Sequence, residues 1–181
     1  MFKKDISAGS KSKVKSSAQR ALRTKLVETY PLLGPHVDEI IPKKGQLDSL
    51  KLPERTTLYV RETQPLFYQH YDSPLVPHLR LVHQFPTCFP RMRVDRGATR
   101  FVLSGASLMA PGLTSNGGRL PPKEEELHMG SVVVVEAEGK EEACLVGVLK
   151  MGTEEMKEKK KGVAMEEGHY LGDGLWKMHI E

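Results

Sequence analysis

Two nearby prolines, Pro86 and Pro90, constrain the fold of this sequence more than any other feature. Each fixes its own backbone φ angle and removes an amide donor, so together they make a stiff connection. They lie near the middle of a chain of 181 residues, a length that allows one large domain or two small ones. Strand and helix patterns occur on both sides of them. We therefore predict a boundary at residues 86–92, between an N-terminal domain over 1–91 and a second domain over 92–181.

The N-terminal half begins with a helix pattern and continues with strand patterns. Apolar residues at three- and four-residue steps predict a helix from about Ser12 to Tyr30, which Pro31 ends. A second short helix is predicted between Pro35 and Pro42. The run from Leu50 to Tyr71, rich in Leu, Val, Tyr, Phe and Thr, predicts two or three short antiparallel strands, and a brief helix follows over Pro77–Phe85. The buried face of the first helix is expected to contain Val14, Ala18, Ala21, Leu22 and Leu26.

The second half repeats this mixture with more strands. One helix is predicted over Gly97–Leu103. Another begins at Thr153 as its N-cap and stops at Gly162, with acids in its first turn and lysines in its last, as the helix dipole favours. Several short strands with few helices predict a small, partly open β-barrel, and the fold class of the whole chain is therefore α+β. The predicted strands are Leu108–Ala110, Val132–Val135, Ala143–Leu149, Val163–Met165 and Leu175–Ile180.

Charge is segregated along the chain. Residues 1–50 hold ten Lys or Arg against five acids, and residues 80–119 hold six arginines against Asp95 alone. Residues 120–181 carry eight basic residues against fourteen acids, a net −6. Two basic blocks and an acidic tail half indicate an anionic partner met by one side of the molecule. A solvated charged surface with no partner explains the same counts equally well.

The sequence lacks the motifs of metal sites and of common catalysts. No HExxH, CxxC, phosphate-binding glycine loop or Gly-x-Ser-x-Gly is present. The spacing of His78 and His83 turns them apart on a helix, which favours core or surface histidines over ligands. Cys88 and Cys144 lie among apolar neighbours, as buried thiols of a reducing compartment do. No apolar run is long enough to cross a bilayer, and no secretory signal is recognised. We therefore expect no enzyme activity, no cofactor and no membrane contact.

A short basic segment carries the strongest functional signal. Arg91, Arg93, Arg96 and Arg100 precede the turn at Ser104-Gly105-Ala106. Arginine forks suit phosphate oxygens, and a glycine turn lets an RNA backbone approach the protein backbone. Residues 96 and 100 are four apart and share a helix face. Phe101 and Trp176 could stack on bases, but their apolar surroundings favour core packing.

Longer runs resemble a known family. Val94–Ala98 and Leu103–Gly112 look like the PUA domain, named for pseudouridine synthases and archaeosine transglycosylases, which folds as a pseudo-β-barrel and binds RNA. Met1–Lys4, Ile41–Lys44 and His169–Trp176 narrow the resemblance to the malignant T-cell-amplified sequence family, whose fungal members are called translation machinery-associated proteins. The likeness runs the length of the chain. It implies a basic pre-PUA domain over 1–91 with a short antiparallel sheet, and a PUA domain over 92–181.

The resemblance also implies a function. Family members pair with density-regulated protein, which brings a SUI-type domain, and act on the rRNA of the small ribosomal subunit, with tRNA as a further candidate. The pair promotes release of deacylated tRNA and mRNA after termination, and reinitiation or non-standard initiation, in the cytoplasm. No catalytic residue is implied. The implied RNA-binding residues are Lys43, Lys44, Arg93, Arg96, Arg100, Ser104, Gly105, Ala106, Pro111 and Gly112.

Some features depart from the family pattern. Thr99-Arg100 stands where an apolar residue and a lysine are expected, and the stretch Glu62–Pro65 lacks the expected simple hairpin turn. The acidic segment Pro121–Glu126 would repel phosphate and is expected away from the RNA face. The partner interface is not predicted, although Leu66-Phe67-Tyr68 could be either an exposed apolar surface or a strand core. Two alternative functions stay open: a subunit of an RNA-modifying enzyme, and a protein adaptor whose basic blocks meet an acidic partner.

Overall fold

The computed structural model describes every residue from Met1 to Glu181. The chain forms two compact units, with the division between Phe89 and Pro90. Ile6–Phe89 and the last four residues form the N-terminal unit, whereas Pro90–Lys177 and Met1–Asp5 form the C-terminal unit. The predicted domains, 1–91 and 92–181, instead grouped residues 1–5 with the N-terminal domain and residues 178–181 with the second domain. None of the helices has the length and apolar character needed to cross a membrane.

The N-terminal unit consists of one antiparallel sheet and three short α-helices. The five strands pair in chain order, β1 to β5, and a 3-10 helix, Pro31–His36, lies between the first two α-helices. The two-residue turn Glu62-Thr63 joins β3 to β4 in register Arg61↔Gln64, with Glu62 at φ 57°, so this stretch is a tight hairpin after all. The elements are β1 (Lys11–Lys13), α1 (Ser16–Thr29), α2 (Val37–Ile40), β2 (Asp48–Leu52), β3 (Thr56–Arg61), β4 (Gln64–His70), β5 (Val76–Pro77) and α3 (Leu79–Gln84).

Helix α1 buries the predicted face only in part: Leu26 is fully buried as predicted, and Leu22 is partly buried. Ala18 and Ala21 are exposed, while Gln19 and Leu26 are buried. The Gln19 amide donates to the carbonyls of Pro42 and Gly45, at 3.0 and 2.7 Å. These bonds satisfy a buried polar group, which apolar periodicity alone cannot anticipate. The helix also starts later than predicted, because Lys11–Lys13 pairs with β2 as a strand.

The core of the N-terminal unit contains the segment that could have formed a partner surface. Leu66, Phe67 and Tyr68 are all nearly fully buried in β4, so the exposed-surface interpretation was wrong. Tyr30 is buried as well, packs edge-on against Phe89 and donates its hydroxyl to the Leu75 carbonyl. Burial raises the pKa of the Tyr30 hydroxyl far above its usual value.

The C-terminal unit is built around a four-stranded sheet in the order β11-β9-β8-β6, in which β6 runs parallel to β8. The strands β10 and β7 form a second, two-stranded antiparallel sheet. A short 3-10 helix, Lys123–Glu125, occupies the exposed acidic segment. The elements are β6 (Arg91–Val94), α4 (Arg96–Val102), β7 (Leu108–Met109), α5 (Pro111–Thr114), β8 (Val132–Ala137), β9 (Ala143–Val148), α6 (Thr153–Lys159), β10 (Val163–Met165), β11 (His169–Tyr170) and α7 (Gly174–Lys177).

Most predicted elements of this unit are confirmed, and two details were wrong. The all-valine run of β8 is buried throughout, as β-branched residues in a core strand should be. Residues Leu175–Ile180 do not form a strand: α7 ends at Lys177, and the Asp173 carboxylate accepts from the Trp176 N–H at 2.8 Å. Thr153 is the first residue of α6 rather than its N-cap, because its hydroxyl accepts from the Leu127 N–H. The fold class is α+β, as predicted.

Candidate nucleic-acid interface

The basic segment is organised by Asp95, the N-cap of helix α4. Its Oδ1 accepts from the Ala98 N–H at 2.7 Å, and its Oδ2 accepts from the Ser115 hydroxyl at 2.6 Å. The Asp95 N–H donates to the Gly112 carbonyl at 2.9 Å. Asp95, the one acid in the sequence between residues 80 and 119, therefore holds α4 and α5 in place, as the N-cap prediction had it.

Two arginines of α4 are exposed. Arg96 and Arg100 lie four residues apart on the helix, and neither guanidinium forms an ion pair with a carboxylate. The Arg100 guanidinium lies 4.8 Å above the ring centroid of Phe101, which is itself 53% exposed. Phe101 and Leu103 therefore do not pack into the core, contrary to expectation. The helix presents positive charge and apolar surface together.

The arginines on the strand side are held by other protein groups. Glu136 accepts from Arg91 at 2.8 Å and also binds Arg119. Arg93 is half-buried, and its Nε donates to the Gly117 carbonyl at 3.0 Å. Of the predicted arginines, Arg96 and Arg100 are thus the pair whose guanidinium groups form no ion pair, although the Glu138 carboxylate accepts from the Arg96 backbone N–H at 2.8 Å.

The turn after α4 is tight and internally bonded. Gly105 has φ +88°, and its N–H donates to the Val102 carbonyl. The Ala106 N–H and the Ser104 hydroxyl both donate to the Phe101 carbonyl. These groups are already satisfied within the turn, so they are not spare donors for a phosphate. A ligand can approach the backbone of the turn closely at Ser104 and Ala106, which are exposed and have small side chains.

One further residue, Lys3, lies at this turn and was not among the predicted RNA-binding residues. A β-carbon built on Gly105 would lie 2.8 Å from Cε of Lys3 and 3.0 Å from the Tyr170 hydroxyl oxygen. The exposed Lys3 side chain therefore runs directly over the glycine. No signal in the basic segment itself pointed to Lys3, because the two are about a hundred residues apart in sequence.

The remaining predicted residues differ in accessibility. Pro111 is exposed as the first residue of α5. Gly112 is buried, and a β-carbon there would lie 3.1 Å from Cβ of Ala98, so this glycine serves close packing. Lys43 and Lys44 are exposed in the N-terminal unit. A hydrogen bond from Arg23 lowers the pKa of the Asp38 carboxyl, and Lys43 adds to that effect.

The histidines and cysteines contribute no metal site. No group of three or more His, Cys, Asp or Glu is arranged to hold a metal ion. His78 is fully buried as the N-cap of α3 and accepts from the Arg80 N–H at 3.0 Å. Cys88 and Cys144 are both buried free thiols. Burial raises the pKa of the Cys144 thiol to about 11.

Comparison with known proteins decides the family. Residues 2–86 match the Pre-PUA-like domain, and residues 90–171 match the PUA domain. The chain is 49% identical to translation machinery-associated protein 20 of Saccharomyces cerevisiae over 183 aligned positions, which cover 100% of both proteins. The chain belongs to this family. It is also 48% identical to the Schizosaccharomyces pombe protein of the same name, over 93% of this chain and 91% of that protein.

An animal member of the family and an archaeal structure are also similar to this chain. Human malignant T-cell-amplified sequence 2 is 40% identical over 98% of both chains. A solved structure of a hypothetical protein from Pyrococcus horikoshii superposes with a TM-score of 0.75 at 21% identity, over 92% of this chain and 98% of that one, and shows the shared fold. The relatives' names indicate a translation-related family with a PUA domain, not a recognised enzyme family.

Proposed function

We propose that this chain is a non-catalytic, cytoplasmic translation factor that binds the RNA of the small ribosomal subunit. Together with a density-regulated protein that carries a SUI-type domain, it promotes release of deacylated tRNA and mRNA after termination, and reinitiation or non-standard initiation. The observation that carries the RNA-binding part is the exposed pair Arg96 and Arg100 at the glycine turn of a PUA domain. The family names support the translation part.

The arginine pair suits RNA because its charge is available. Arg91 and Arg119 are paired with Glu136 and would lose that partner on binding phosphate. Binding of a phosphate breaks no ion pair of Arg96 or Arg100. The main free-energy cost is therefore the removal of water from their guanidinium groups. Two planar guanidinium groups on one helix face can bind neighbouring phosphate oxygens in bidentate fashion.

The glycine turn supports recognition of shape rather than of base sequence. Its amides and the Ser104 hydroxyl are used internally, so few groups remain to read base edges. Gly105, Ala106 and Pro111 leave a surface without long side chains, against which an RNA backbone can lie closely. Lys43 and Lys44 would add phosphate contacts from the N-terminal unit, and Arg93 would do so only after leaving the Gly117 carbonyl.

The end of α4 offers an apolar surface to a protein partner. Phe101 is 53% and Leu103 41% exposed, although both are large and apolar. Exposed apolar side chains beside polar ones are typical of interaction sites. We propose that they form part of the surface that binds the density-regulated protein. Phe101→Ser should then weaken binding to that partner in a pull-down, while Leu32→Ser, at a 63% exposed leucine of the N-terminal unit, should not.

Co-sedimentation with purified small ribosomal subunits tests the proposed function. The chain, alone and with its partner, should pellet with the subunits at moderate salt, and Arg96→Glu with Arg100→Glu should abolish most of the binding. The matched control is Lys123→Glu with Lys159→Glu, which changes the net charge equally at exposed residues of the acidic part. Absence of binding with and without the partner would refute the proposal. Partner binding that survives salt, without RNA binding, would favour the adaptor function. A modified nucleoside in tRNA incubated with the chain would favour the enzyme subunit.

A further inference from the structure

The first residues of the chain are fixed to the C-terminal unit. Phe2 is only 2% exposed, and its ring packs edge-on against His169, with 6.1 Å between ring centroids. The Phe2 carbonyl accepts from the Gly174 N–H at 2.7 Å. A buried aromatic ring and a backbone hydrogen bond thus hold this segment at two points.

The turn that receives Phe2 is itself braced by a buried carboxylate. Asp173 is 1% exposed, and its Oδ2 lies 2.9 Å from Nδ1 of the fully buried His169 and accepts from the Tyr170 N–H at 3.0 Å. Gly174 provides room for the segment, because a β-carbon there would lie 1.9 Å from the Lys4 carbonyl oxygen. The backbone of residues 2–4 is therefore held in place by His169, Asp173 and Gly174.

The consequence is the fixed position of Lys3 over the glycine turn. Its Cγ and Cε would lie 2.9 and 2.8 Å from a β-carbon on Gly105, so the side chain passes across residue 105 in close contact. Lys3 lines a narrow cleft with Gly105, Ala106, Glu167 and Tyr170. Lys3 is exposed and forms no ion pair with Glu167 or any other carboxylate. Its ammonium group is therefore a third available cation near this turn.

We propose that Lys3 binds an RNA phosphate at the glycine turn, and that Phe2 and Gly174 are the residues that position it. The proposal rests on the proposed function, since it takes the turn to face RNA. Because the backbone of residues 2–4 is already fixed, its conformational entropy is not lost again when Lys3 binds a phosphate. A purely structural role would be different: the aliphatic part of Lys3 would cover Gly105, and its charge would be irrelevant.

Two substitutions at residue 3 separate these roles. Lys3→Met keeps an unbranched aliphatic side chain over Gly105 and removes the charge, whereas Lys3→Arg keeps the charge. Binding to purified small ribosomal subunits would be titrated at several salt concentrations for the full chain and these variants. Lys123→Met is the matched control, at an exposed lysine of the same unit that does not line the cleft.

We expect Lys3→Met to weaken binding about threefold to fivefold, as loss of one exposed charge pair does, and to reduce the slope of log affinity against log salt by about 0.7 to 0.9. Lys3→Arg should restore both values, and thermal unfolding of Lys3→Met should be unchanged. Phe2→Ala should reproduce the binding loss with the charge still present. Unchanged affinity and slope in Lys3→Met would overturn the proposal, and so would an equal loss in Lys123→Met.

The same titration distinguishes this proposal from the proposed function. Normal binding by Lys3→Met, together with weak binding by Arg96→Ala/Arg100→Ala, would remove Lys3 alone from the RNA face. Normal binding by both variants, or no binding by the parent chain, would refute the RNA face as a whole.

Discussion

Asp95 allows a quantitative test of how the basic helix is held. Asp95→Ala removes the acceptor of the Ala98 N–H and of the Ser115 hydroxyl. Loss of an N-cap costs about 1 kcal/mol, and loss of a partly exposed hydrogen bond to a carboxylate costs about 1 kcal/mol more. We therefore expect the free energy of unfolding of the C-terminal unit to fall by about 2 kcal/mol. Urea denaturation, followed by a probe in that unit such as Trp176 fluorescence, measures this change.

Two further variants show whether the hydrogen bonds account for that loss. Asp95→Asn keeps an oxygen that can accept from the Ala98 N–H, and asparagine is as good an N-cap as aspartate. Its amide nitrogen cannot accept from the Ser115 hydroxyl, so this variant should cost about 1 kcal/mol, half of the loss expected for Asp95→Ala. Ser115→Ala should cost about 1 kcal/mol, and only in the presence of Asp95. The reasoning is refuted if Asp95→Ala is neutral, or if Asp95→Asn is as damaging as Asp95→Ala, because the acid would then have a role other than capping.

Three more predictions follow from burial and backbone geometry. Gly105→Ala should destabilise the C-terminal unit by about 1 to 3 kcal/mol, because residue 105 has φ +88° and a β-carbon would contact Lys3 and Tyr170; an unchanged urea midpoint would contradict this. The Cys144 thiol should resist a thiol reagent at pH 9 until the protein unfolds, since burial raises its pKa from 9.0 to about 11. The raised pKa stabilises the folded state below pH 9, and this part of the free energy of unfolding should be lost between pH 9 and 11. Leu66→Ala should cost about 2 to 5 kcal/mol because the side chain is 1% exposed, whereas Ala21→Ser, on the exposed face of α1, should change the free energy of unfolding by less than about 0.5 kcal/mol.

Local patterns were sufficient for much of the C-terminal unit. Four consecutive β-branched residues gave the buried strand β8, and Asp95 before a short helix gave the N-cap of α4. Both signals are local: strand propensity and capping depend on a few neighbouring residues. The strands between Leu50 and Tyr71 were recognisable for the same reason, as runs rich in Leu, Val, Tyr, Phe and Thr, although the hairpin turn at Glu62-Thr63 was not.

The errors occurred where distant residues decide the outcome. Helix α1 turns Gln19 inward because two carbonyls, at residues 42 and 45, receive its amide. Leu175 lies in a helical turn rather than a strand because Asp173 caps that turn, which is a local signal that the strand prediction overlooked. Phe101 was assigned to the core on hydrophobicity alone, yet the helix exposes it. Such contacts have no signature in a single sequence, because the partner could be any of many polar or apolar groups.

The candidate site shows the same division between local and distant information. The arginines and the glycine turn are contiguous in sequence, so their joint occurrence on α4 and its C-terminal loop was predictable. Lys3 comes to the same turn only because Phe2 is buried against His169. That contact joins the two ends of the sequence, and charge counting over 1–50 could not assign Lys3 to the RNA face.

An electron cryomicroscopy structure of the chain bound to the small ribosomal subunit would show directly whether α4 faces RNA. We expect the exposed face of α4, with Arg96 and Arg100, to lie within hydrogen-bonding distance of rRNA or tRNA phosphates, and the turn at Gly105 to lie against the RNA backbone. A complex in which α4 faces solvent, or only contacts protein, while other surfaces bind the RNA, would contradict it.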